Sequence, residues 1–132
     1  VAPVTKLDIR RFDLRLALLA TLALCACDTK DNPAREALTH VRNLTLIIED
    51  NAGNCGATMR EFSAYIQQHR QAMNDSIVRS ETLDKDEGMR FEEIMEEESS
   101  VVFKNFLRSK KSFEGACRKK LPDFPYSEII VE

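Results

Sequence analysis

The sequence predicts an all-α fold, a three-helix bundle built on a long helical hairpin whose open end is stapled by a disulfide. Three observations predict it. Apolar residues recur at spacings of three and four through three separate stretches, the period of a helix with one buried face. Gly and Pro are scarce at four each, Trp is absent and 31% of residues are charged, which suits a helical body with a solvated exterior. Cys55 and Cys117 stand almost symmetrically about the acidic, Gly-containing segment Asp84-Lys85-Asp86-Glu87-Gly88. If the chain folds back there, the two flanks run antiparallel, and equal rise on each side returns Cys117 to the level of Cys55. At 132 residues the chain has room for one domain with an adequate core.

In chain order, the first element is a leader. A basic region ends in Arg10, Arg11 and Arg15, and the apolar run Leu16 to Leu24 follows. That run is too short to cross a bilayer, which takes about 20 apolar residues as a helix, but it has the length of a signal-peptide core. Next comes Leu24-Cys25-Ala26-Cys27, with a small residue directly before the second cysteine. Over residues 6–28 the chain resembles a bacterial lipoprotein signal, in which Cys27 becomes the lipidated first residue. The resemblance implies a signal-peptide helix over 1–26, export, and a membrane anchor facing the periplasm or exterior. Asp8 and Asp13 dilute the basic region relative to that pattern.

A tether over 27–32 leads into the bundle, expected over 33–120. Asn32-Pro33 opens the first helix, Asn as the cap and Pro at the first helical position. Its apolar face is Ala34, Leu38, Val41, Leu44 and Ile48, and the turn chemistry of Asn51-Ala52-Gly53-Asn54 ends it near Asp50. The second helix opens on a capping box of Thr58 with Glu61, or a turn earlier at Asn54, and ends around Glu81. Its stripe is Phe62, Ile66, His69, Met73 and Ile77. Asp84 and Glu87 open the third helix, whose stripe is Phe91, Met95, Val102, Phe106 and Phe113, widened by Ile94, Val101 and Leu107. It should stop near Lys120, because Pro122 follows. The first helix is too short to cover the whole hairpin groove, so the tail over 121–132 is expected to pack on part of the remainder.

Charge bounds the function. The net charge is −3, and the chain from Cys27 onward carries 15 bases and 20 acids, so nucleic acid is not expected as a partner. Along the third helix the charge is polarised, acids from Glu81 to Glu98 and bases from Lys104 to Lys120. Acids early and bases late complement the helix dipole, each contributing roughly 0.3–1 kcal/mol. The functional reading of the same pattern is a partner-binding tip at Lys110, Lys111, Arg118, Lys119 and Lys120. The acids Glu92, Glu93, Glu96 and Glu97 read as a solvated face, and Glu98, on the apolar stripe, calls for a boundary ion pair. The Glu-x-x-His pattern of carboxylate-bridged metal bundles is missing, so no metal site is expected.

His69 is the exception on its stripe. A small exported bundle with inward His and Met resembles haem bundles in outline, with Met89, Met95 or His40 on another helix to supply the second ligand. The covalent attachment motif Cys-x-x-Cys-His is absent, and His69 with Met73 on one helix cannot bind opposite faces of a haem. No phosphate loop or nucleophile elbow appears, so no catalytic residues are assigned and no cofactor is expected. The sequence therefore leads to a lipid-anchored, non-catalytic binding or structural module with a protein partner, the haem or electron-transfer bundle being the alternative.

Overall fold

The computed structural model describes residues 32–130. The lipoprotein-like signal, Cys27 and the tether up to Asp31 lie outside the described residues. Among the described residues there are three helices and no strand: α1 (Pro33–Asp50), α2 (Cys55–Glu81) and α3 (Lys85–Cys117). None is long and apolar enough to cross a membrane.

Local chemistry sets the helix starts. The Asn32 side chain accepts the Ala34 N–H at 3.0 Å, with Pro33 behind it. Asp84 accepts the Glu87 N–H at 2.8 Å and opens α3. The start of α2 is the earlier of the two the sequence offered. Asn54 caps it through the Ala57 N–H at 3.0 Å, while Thr58 sits inside the first turn and returns its hydroxyl to the Asn54 carbonyl at 3.0 Å.

The two long helices are antiparallel, yet they meet only narrowly, because α1 packs on both. Along α3 the register of α1 is parallel: Asn32 bonds to the Glu87 carbonyl, Arg42 pairs with Glu98 at 2.9 Å, and Glu49 accepts from Ser109 at 3.2 Å. Against α2 it is antiparallel, with Glu36 paired to Arg79 and His40 bonded to Tyr65. The apolar face of α1 explains this arrangement: Ala34, Leu38, Val41 and Leu44 are all wholly buried. A helix with that wide a face is best satisfied between two neighbours rather than laid on one. Glu98 thus obtains the boundary ion pair its position calls for.

The opposite side of the seam between α2 and α3 is filled by the tail. Leu121, Phe124, Tyr126 and Ile130 are buried there. The Phe124 ring stands edge-on to Phe62 at 6.1 Å and to Phe106 at 5.6 Å, joining α2 to α3 through aromatic contact. Such pairs prefer this geometry and add roughly 0.5–1.5 kcal/mol beyond the area they bury. Tyr126 bonds to the Ser76 hydroxyl, which is itself held on the Met73 carbonyl at 2.7 Å. No buried side-chain polar atom among the described residues lacks a partner.

Two expectations need correction. The third helix stops at Cys117, three residues before Lys120, and Arg118 leaves it in the left-handed region at φ 54°. Glu114 makes that early exit possible, receiving the Leu121 N–H at 2.9 Å while its backbone carbonyl takes the Arg118 N–H. Leu121 is thereby turned into the core. Val101, assigned to the apolar stripe, is instead 62% exposed, because α1 covers Val102 and stops short of its neighbour.

Candidate functional site

The end of the bundle at which α1 stops is held by local contacts. Gly53, at φ +84°, provides the backbone turn that an L side chain rarely adopts. Asn51 fixes the loop from the α1 side, donating to the Ile47 carbonyl at 2.9 Å and also to Glu61 on α2. Thr58 closes it from the other side through the Asn51 carbonyl at 3.3 Å. Cys55 is therefore held as the first residue of α2, directly opposite the last residue of α3. The disulfide between Cys55 and Cys117 forms there, with Cα atoms 5.7 Å apart.

Beside the disulfide lies a groove of about 430 Å³ between the α1–α2 loop and the last turns of α3. Its apolar floor is Ile48 and Phe113, and Arg108, Ser109 and Ser112 form its α3 wall. The basic residues singled out in the sequence gather around this end of α3 and just beyond it. Lys110 reaches Glu114 at 3.9 Å. Lys111, Arg118, Lys119 and Lys120 are exposed and make no ion pair with another described residue. The last turn of α3 contains no base. Because the dipole effect falls off within that turn, it gives little account of Lys110 and Lys111.

His69 belongs to a different place. Its ring lies tilted against Tyr65 with centroids 4.1 Å apart, and tilted against His40 at 5.3 Å. His40 is the more deeply set of the two, 8% exposed between α1, α2 and the tail. The Asn43 amide donates to the Tyr65 oxygen at 3.0 Å, and the same hydroxyl shares a hydrogen bond with His40 Nδ1 at 2.8 Å. Burial, the main cause, and the nearby His69 hold the His40 pKa below the ordinary 6.5, while Glu36 pulls it upward. Burial likewise raises the hydroxyl pKa values of Tyr65 and Tyr126.

The sequence reading gave His40 only as a second ligand for His69 and missed its seat in this polar cluster. Its spacing, four before Leu44 and seven after Pro33, was the available signal. Met73 is wholly buried in the core and Met89 is 60% exposed. Among the described residues no three His, Cys, Asp or Glu side chains converge as a metal site.

Comparison with protein-family models, curated proteins and solved structures finds no match to the chain.

Proposed function

We propose that the protein is an exported lipoprotein, anchored to a membrane through Cys27, whose helical body is a non-catalytic module that binds a protein partner at its stapled end. The observation that supports it most is the Cys55–Cys117 disulfide, closed across a sequence separation of 62. Disulfides persist in oxidising compartments, where the lipoprotein-like signal would deliver the chain. The tether would join α1 at Asn32, and α1 extends about 27 Å before reaching the stapled end. In an upright bundle the groove and the unpaired bases beside it are then the parts furthest from the membrane. An acidic protein surface suits them.

The test has two arms. In bacteria producing the full chain, an alkyne-labelled fatty acid should be incorporated into the wild type and be lost in Cys27→Ser. An unmodified Cys27 in a processed, membrane-bound protein would overturn the anchor. The partner arm uses affinity capture from solubilised membranes, comparing the wild type with Lys111, Lys119 and Lys120 all changed to Glu. Loss of a specific captured protein, with the melting temperature retained, is expected; unchanged capture would assign the bases to solubility alone. A Soret band in the purified protein would turn the reading to the haem alternative.

A further inference from the structure

A second surface lies on the outer edge between α1 and α3. Residues of α1 at 42, 45, 46 and 49 and of α3 at 97, 98, 101, 102 and 105 enclose a groove of about 430 Å³. Each set follows the helix period, so two parallel ridges flank one channel roughly 10 Å, or two turns, long. Leu46 and Val101 stand on either side of it, 51% and 62% exposed, with the buried Val102 beneath. Together they make a short apolar strip with charged side chains at its margins.

The charges around the channel have one sign to spare. Arg42 is committed to Glu98 at 2.9 Å, which neutralises both. Glu97 and Glu49 pair with no described base, and Glu49 accepts only the Ser109 hydroxyl. Register fixes where these carboxylates sit. Arg42 is level with Glu98 and Glu49 is level with Ser109. Glu97 therefore stands at one end of the channel and Glu49 at the other, with Leu46 and Val101 between them. An apolar centre with a carboxylate at each end is complementary to a helix that has the reverse pattern. A second copy laid groove to groove would bring like carboxylates together, which argues against a symmetric dimer here.

We propose that this channel docks a basic amphipathic helix of a partner protein as the fourth helix of the bundle. The recognised pattern is a base at position i, aliphatic residues at i+3 and i+4, and a second base at i+7. The aliphatic pair covers Leu46 and Val101, and the two bases reach Glu97 and Glu49. The surface adjoins the stapled-end groove only at Glu49, which lines both, and its use does not depend on export or lipidation.

A labelled Ala/Gln peptide carrying Lys, Leu, Leu and Lys at i, i+3, i+4 and i+7 tests this against the purified full chain by fluorescence anisotropy. Saturable binding that weakens as salt is raised is expected. The double variant Glu49→Gln with Glu97→Gln should lose about fivefold in affinity. Leu46→Ala with Val101→Ala should lose about tenfold. Glu92→Gln with Glu96→Gln removes the same charge from exposed positions outside the channel and should change binding little. All six positions lie at the surface, so circular dichroism and melting temperature should match the wild type. Three results would overturn the proposal: no saturation up to about 1 mM peptide, equal losses in the Glu92 and Glu96 control, or self-association abolished by the Leu46 and Val101 changes.

Discussion

His40 is where protons act on this fold. The groups that face it are Tyr65 and His69 on α2, Tyr126 on the tail and Glu36 on its own helix, with Glu36 held by Arg79. Its pKa in the folded protein lies below 6.5, the value it regains on unfolding. Between the two values the unfolded chain binds more protons, so the group's stabilisation is complete above 6.5 and is lost as pH falls towards the folded value. The melting temperature of the wild type is expected to fall between about pH 7 and 5 more steeply than that of His40→Gln. Parallel curves would take the proton-sensitive role away from His40. At this scale the sequence was legible where a side chain's needs are local. Glu98 on an apolar stripe called for an ion pair and has one in Arg42. Val101 was misread because the width of a buried face is set by the helix laid upon it, which a single helix's period does not record.

At the scale of elements, boundaries followed whichever side chain reached the orphan backbone groups. Thr58 with Glu61 has the spacing of a capping box, but Asn54 holds the position, and Thr58 is 1% exposed inside the helix. Asn54→Ala should therefore cost about 1 kcal/mol, read as a lower urea midpoint at unchanged slope. A wild-type midpoint in that variant would return the cap to Thr58. The end of α3 was harder to place. Pro122 marks a limit beyond which a helix is disfavoured, but the actual stop at Cys117 depends on Glu114 and on the burial of Leu121, both tertiary facts. The hairpin was legible from its turn and its cysteines. The insertion of α1 between its arms was not, because periodicity gives the direction of a face and not the number of neighbours it meets.

For the whole molecule, the disulfide is the largest single constraint. Closing a loop with a separation of 62 residues stabilises by about 4 kcal/mol in the chain-entropy account. That is a large share of the roughly 5–15 kcal/mol typical of a small domain. Cys55→Ser should lower the melting temperature clearly and leave one reactive thiol at Cys117. Free thiols at both Cys55 and Cys117 in the native, oxidised protein would contradict the bridge. The site was less legible than the fold: basic residues can be counted in a sequence, but which of them stay unpaired depends on which acids the packing brings near.

The staple also fixes how the chain would carry tension. From Asn32 to Arg118 the shortest covalent route follows α1, the loop over 51–54, Cys55 and then the sulfur bridge to Cys117. The rest of α2, the turn at Asp84 and nearly all of α3 hang off that route as a closed side loop. A pull between the first described residue and the basic end therefore bypasses the hairpin turn. It loads α1 lengthwise, sliding it against α2 and α3 together, so its flanking contacts resist at once and do not peel one by one. Reduction of the bridge would lengthen the load path by the whole hairpin, and the protein would change from a short, stiff link to a long, extensible one.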